Sequence, residues 1–130
     1  MISKTEIELI GKQIVQAAFE VHSELGPGLI ESVYEICLVE ELKSRNLTVE
    51  RQVKLPVVFK GKILDKEFFI DLLVEKEIIV ELKAVDVLLP VHEVQLLTYM
   101  KLADKKLGYL INFNVPLIKE GIRRKINGYF

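Results

Sequence analysis

The stretch FFIDLLVEKEIIVELKA, residues 68 to 84, reads as two extended segments joined at Glu75-Lys76-Glu77. It is apolar enough to build a core, yet it sets Asp71, Glu81 and Lys83 among Ile, Leu and Val. Side chains alternate between the two faces of a strand, so the stretch divides by parity. Phe68, Ile70, Leu72, Val74, Ile78, Val80, Leu82 and Ala84 fall on even positions; Phe69, Asp71, Leu73, Glu75, Ile79, Glu81, Lys83 and Val85 fall on odd ones. The pattern predicts one purely apolar face and one face that carries the charges. Burying both apolar sets together forbids a one-residue slip and leaves few registers. A turn centred on Lys76 sets Asp71 opposite Glu81, two carboxylates with Cβ atoms ~5 Å apart, a pairing that is destabilising unless a cation compensates it. A two-residue shift sets Asp71 opposite Lys83 instead, an ordinary cross-strand ion pair. Periodicity alone does not choose between the two.

Around this hairpin the pattern is mixed. Ser3 with Glu6 resembles a capping box, and Ile7, Ile10, Ile14, Ala17, Ala18, Val21 and Leu25 recur at helical spacing, predicting a first helix over about residues 4 to 24. Gly26-Pro27-Gly28 stops it. A second helix follows with Leu29, Val33, Ile36, Cys37 and Leu42 as its expected buried stripe, so the two should pack as a helical hairpin. VERQVKL, PVVFK and the segment after Lys60-Gly61-Lys62 read as strands. Pro90 precedes a third helix, about Val91 to Ala103, GYLINF at 108 to 113 reads as a buried strand, and the tail after Pro116 as an edge strand.

The chain has 130 residues, half of them hydrophobic and 28% charged, which predicts a single domain over residues 1 to 130 that folds unaided. The N-terminal MISKTEIELIGKQIVQ lacks an apolar h-region and no run approaches a membrane span, so a cytoplasmic protein without membrane contact is expected. Cys37 is alone, and with His22 and His92 far from it in sequence a zinc site is not expected. Net charge is −1, so any phosphate binding must be local; Lys101, Lys105, Lys106 and the Arg123-Arg124-Lys125 cluster are the candidates, with a solvated surface as the plainer reading. Carboxylate oxygens suit Mg²⁺ or Mn²⁺, and Mg²⁺ takes only one or two of them from protein. Lys83, on the same face as Glu81, would orient an attacking water and offset charge on a phosphate. His92, Gln95 and Tyr99 form a polar stripe at helical spacing on the third helix, by default its wet side.

Asp71 followed by Glu81-Leu82-Lys83 resembles the acidic residue and Glu-x-Lys of the PD-(D/E)XK nuclease superfamily, and QLLTY at 95 to 99 resembles the Gln-x-x-x-Tyr helix of its RecB-like members. GLIESVY at 28 to 34 is similar to Gly-x-x-Glu-x-x-Tyr, the signature of the GxxExxY family within that superfamily, as are VELKAV at 80 to 85 and LINF at 110 to 113. The resemblance spans about residues 8 to 126. Two departures stand out: Ile70 precedes Asp71 where the superfamily's name has proline, and Asn114 stands where members often carry glycine, asparagine also tolerating left-handed backbone.

The resemblance implies an α/β fold with a restriction-endonuclease-like core, a helical hairpin followed by a mixed β-sheet with a further helix packed on it. It implies metal-dependent phosphodiester hydrolysis of nucleic acid, DNA ahead of RNA, with Asp71, Glu81 and the Leu82 carbonyl holding Mg²⁺ or Mn²⁺. Glu31 would add a direct or water-mediated contact, Gly28 would open its helix and let the backbone approach, and Tyr34 would pack or hydrogen-bond beside the site. Lys83 would position the water, with Gln95, Tyr99 and His92 orienting substrate. The rival reading is a non-catalytic nucleic-acid-binding or assembly module that retains the nuclease fold, favoured by the lack of overall basic charge. A homodimer or a helicase-like partner would leave an apolar patch exposed on the monomer.

Overall fold

The computed structural model describes residues 2–130. Helix α1 (Lys4–Leu25) starts at Ser3, whose hydroxyl accepts the Glu6 N–H while the Glu6 carboxylate reaches back. Helix α2 (Glu31–Ser44) packs beside it, and the chain then enters a five-stranded sheet in sequential order: β1 (Val49–Phe59), β2 (Lys62–Val74), β3 (Ile78–Lys83), β4 (Leu107–Asn112) and β5 (Ile122–Ile126). All neighbours are antiparallel except β3 and β4, which run parallel and are bridged by helix α3 (Pro90–Ala103). A parallel pair needs such a crossover, and its strands are covered on both faces. All six residues of β4 are accordingly buried.

Two cores result, one on each side of the sheet. Ile7, Ile14, Ala17, Ala18 and Val21 of α1, with Tyr34, Leu38, Val39 and Leu42 of α2, cover Leu72, Val74, Ile78, Val80 and Leu82. On the opposite side Leu96, Tyr99 and Met100 of α3 cover Ile70, Leu73, Ile79 and Leu110. The expectation of a single apolar face is therefore corrected in two ways. The odd face is also core at Leu73 and Ile79, and Ile70 lies on the α3 side although Leu72, of the same parity, lies on the α1–α2 side. Alternation breaks at Asp71. The buried stripe of α2 is also rotated from the one expected: Tyr34, Glu35, Leu38, Val39 and Leu42 are buried, whereas Leu29 and Ile36 are exposed and Cys37 is half-buried. The cause is Tyr34, whose ring stacks on Phe113 with centroids 4.6 Å apart and turns that side of the helix inward.

VERQVKL and PVVFK form one strand, β1, with a shift of register between Pro56 and Val58. Lys60 and Gly61, both at positive φ, then turn the chain into β2 as a two-residue hairpin. The β2–β3 hairpin pairs Leu72 with Val80, Leu73 with Ile79 and Val74 with Ile78, which is the register centred on Lys76. The shifted alternative, with Asp71 against Lys83, is excluded.

Candidate active site

Continuing the β2–β3 register by one step brings Asp71 opposite Glu81, but neither residue joins the ladder. The Asp71 N–H donates to Glu81 Oε2 at 2.7 Å, and the Leu82 N–H donates to Asp71 Oδ2 at 2.9 Å. The strands fork here, and side chains take over the donors that the backbone gives up. On its other side Asp71 faces Gln52, which is likewise missing from the β1–β2 ladder and sits at φ +49°. The Gln52 amide donates to Asp71 Oδ1 at 3.3 Å and to Glu35 Oε1 at 2.8 Å, and Arg51 donates to Glu35 Oε2 at 2.8 Å. Asp71 is thus held from both neighbouring strands.

Burial disfavours charge at this fork. Glu81 is 4% exposed; burial first, then the Asp71 charge, pushes its carboxyl up to about 8. Burial also raises Asp71, opposed by the bonds from Leu82 and Gln52. Glu31, in the first turn of α2, is raised by burial and then by Asp71. Lys83 opposes the rise at all three acids, so its ammonium acts on the same cluster without forming a direct ion pair among the described residues.

A groove of about 460 Å³ adjoins the fork, lined by Phe68, Lys83, His92, Gln95, Thr98 and Tyr99, with Val91 and Val94. Gln95 donates to the Tyr99 hydroxyl at 3.1 Å. The polar stripe of α3 therefore faces Lys83 across the groove. His92 Nδ1 accepts the Leu89 N–H at 3.0 Å, capping α3 and leaving Nε2 as the free ring nitrogen. A second groove, about 320 Å³, lies between α1 and α2 and carries Glu20, Glu24, Glu40 and Glu41, a potential that repels phosphate.

Tyr34 is not beside the acids through its hydroxyl, which donates to the Gly26 carbonyl at 2.6 Å and accepts the Leu29 N–H at 3.1 Å. It fixes the loop from which Glu31 enters. Gly28 in that loop has φ +98°, and a Cβ there would meet nothing within 4 Å, so backbone conformation rather than close approach calls for glycine. Its N–H donates to Asn114 Oδ1, while Asn114 Nδ2 donates to Asp86 Oδ1. Asn114 has no positive φ and acts through its side chain. Asn112, buried at the end of β4, clamps both backbone groups of Val85, and the Phe113 N–H donates to the Lys83 carbonyl. The LINF segment thus holds the end of β3 where Lys83 emerges.

The sequence reading missed Glu35 and Gln52. Glu35 lies four residues after Glu31 on one helical face, which was a usable signal; the left-handed Gln52 had none.

Most of the chain, residues 8–125, matches the family model of the PD-(D/E)XK nuclease superfamily. The chain belongs to this superfamily. The two helices, mixed five-stranded sheet and further helix are its restriction-endonuclease-like fold. PD-(D/E)XK nucleases act on nucleic acid and generally use divalent metal ions. A search of curated proteins and of solved structures found no match. No helix among the described residues is long and apolar enough to cross a membrane.

The donors at the fork fit a hard divalent cation. Asp71 and Glu81 offer carboxylate oxygens whose charge is disfavoured without a counter-ion. Among the described residues no three acidic, His or Cys side chains form a ready-made cage. Two carboxylates and a carbonyl suffice for an ion such as Mg²⁺, which keeps several positions for water and phosphate.

Proposed function

We propose that this PD-(D/E)XK protein hydrolyses phosphodiester bonds of nucleic acid, DNA ahead of RNA, with Mg²⁺ or Mn²⁺ as cofactor. The observation that carries the reading is the facing of Asp71 and Glu81 at the fork of β2 and β3, where ladder hydrogen bonds are given up to bring two acids together. Asp71, Glu81 and the Leu82 carbonyl would hold the cation, with Glu31 as a further contact. When bound, the cation supplies Lewis-acid stabilisation of charge on the phosphate oxygens.

The chain's own residues do the rest. Lys83 orients the attacking water and offsets negative charge as it develops on the phosphate. Gln95 and Tyr99, already bonded to each other along the groove wall, position the scissile phosphate by amide and hydroxyl donors. His92, its Nδ1 occupied by the helix cap, offers Nε2–H to a substrate oxygen. Gln52 and Glu35 keep Asp71 in its rotamer, and Tyr34 acts at one remove by fixing the loop before Glu31.

The test is hydrolysis of duplex and single-stranded DNA and of RNA with Mg²⁺ or Mn²⁺. Asp71→Asn and Lys83→Ala should each lose about a hundredfold or more. Equal activity in all three proteins would sink the assignment. Mn²⁺ binding by calorimetry that is lost in Glu81→Gln, without turnover of any substrate, would favour a binding module instead.

A further inference from the structure

The acids at the fork repel the phosphates they are proposed to act on, so affinity for a polyanion must be gained elsewhere on the surface. Three groups of cations compete for that role. Arg123, Arg124 and Lys125 are already engaged: Arg123 donates to the carbonyls of Glu120 and Ile122, Arg124 pairs with Glu8, and Lys125 pairs with Glu93. Lys101, Lys105 and Lys106 lie at the wrong end of the sheet, because Leu107, directly after them, pairs with Ile78, whereas the acids lie at the opposite end of β3. The third group lies on the β1–β2 ribbon. Arg51 at its base is bonded to Glu35, but residues 54 to 67 contain Lys54, Lys60, Lys62 and Lys66 against Asp65 and Glu67, whereas the rest of the chain has fourteen cations and seventeen acids.

Beyond Leu55 and Phe68, which pack against the α3-side core, the ribbon stands free of the body. The β2–β3 ladder covers only Leu72, Leu73 and Val74, the last link being the side-chain bonds of Asp71 at the fork, and β1 is an edge strand. From Pro56 to Glu67 every residue except the half-buried Val57 is exposed. At about 3.3 Å per residue, Asp71 back to Gly61 spans roughly 30 Å, close to one turn of B-DNA. Lys60, Lys62 and Lys66 have no carboxylate partner among the described residues, and Lys54 has only a 3.7 Å contact with Glu67. Between these lysines the tip is apolar, with Val58, Phe59, Ile63 and Leu64 exposed, Ile63 at 75%. A two-stranded ribbon fits a DNA groove, and apolar side chains can wedge between base steps. A second copy of the chain is a poor occupant, since it would set one positive ribbon against another.

We infer that the β1–β2 ribbon is a duplex-binding arm. Its lysines contact phosphates flanking a groove of double-stranded nucleic acid, its apolar tip enters that groove, and the strand is led along the arm to the fork at its base. This deepens the nuclease reading and rests on it for the nature of the polyanion.

The experiment measures anisotropy of a fluorescein-labelled duplex of about 20 base pairs, two helical turns, in chelator so that binding is read without turnover. Lys60→Ala/Lys62→Ala/Lys66→Ala should weaken duplex binding more than about tenfold and flatten the log–log salt dependence by about three. Lys101→Ala/Lys105→Ala/Lys106→Ala should change neither. Hydrolysis of bis(p-nitrophenyl) phosphate with Mn²⁺, a diester too small to span the ribbon, should remain at the wild-type rate in the ribbon variant. Binding judges the arm and hydrolysis judges the nuclease reading, so the two can fail separately. Unchanged duplex affinity and salt slope in the ribbon variant would overturn the arm. So would tighter binding of the single strand, or of phosphatidylserine vesicles, that is lost with the same three lysines.

Discussion

Strands β2 and β3 are joined in two different ways along their length. Beside the turn, Leu72, Leu73 and Val74 pair with Val80, Ile79 and Ile78 in an unbroken ladder of buried side chains. One residue further on, carboxylates replace the ladder: Asp71 and Glu81 each accept a backbone N–H from the opposite strand and repel one another. The first end is built for stability and the second departs from every local rule of strand pairing. Such departures are expected at functional sites, where the surrounding structure compensates for them. The two ends therefore differ in what a mutation should do.

The largest effect on stability is expected at the ladder end. Leu72→Ala removes a fully buried side chain beneath α1 and α2 and should cost about 2–5 kcal/mol, read as a lower urea midpoint with an unchanged slope. Mn²⁺ affinity of the folded fraction should be retained; an undisturbed midpoint would erase the contrast.

A smaller effect of opposite sign is expected at the fork. Glu81 has a folded-state pKa of about 8 against its ordinary 4.5. Between those values the folded chain keeps a proton that the unfolded chain has lost, so the metal-free protein loses stability as pH rises through that window and levels off above it. Glu81→Gln should reduce the slope, leaving the smaller part due to Asp71 and Glu31, and raise metal-free stability at pH 8 on the order of 1–3 kcal/mol, several degrees in Tm. Melting curves in chelator at pH 5 and pH 8 check it; a wild type that gains stability across this range would contradict the burial of the acid pair.

The smallest change in stability is expected across the fork on β1, at Gln52. Gln52→Gly relieves a left-handed backbone and loses the bonds to Asp71 and Glu35, effects of about 1 kcal/mol each that oppose one another. Stability should stay close to wild type while metal affinity or hydrolysis falls about 10-fold to 100-fold. A variant that melts like the wild type and works like it would show that Asp71 needs no support from β1.

The fork was legible in the sequence because two apolar runs of fixed parity restrict the pairing to a few registers, and because Asp71, Glu81 and Lys83 interrupt them. The helices and β4 were legible from capping and periodicity. The face that Ile70 takes was not, since the break at Asp71 is made by bonds that Asp71 accepts from Gln52 and Leu82 and donates to Glu81, which leave no periodic trace. The stripe of α2 was misplaced for a related reason: a buried Tyr34 and a buried Glu35 read as polar until Phe113 and Arg51 supply their partners. The clusters at 101 to 106 and 123 to 125 are conspicuous as local runs, whereas Lys60, Lys62 and Lys66, almost as close together in sequence, gain their meaning only from the hairpin that carries them clear of the body.

The proposed chemistry requires Asp71 and Glu81 to share one cation. Anomalous diffraction from a crystal soaked in Mn²⁺ tests it most directly. One strong peak is expected between the two carboxylates, at about 2.0–2.2 Å from their oxygens, typical of a small hard cation, and no such peak in Glu81→Gln. An empty fork in the soaked wild type, with both acids still bonded to the opposite backbone, would contradict it.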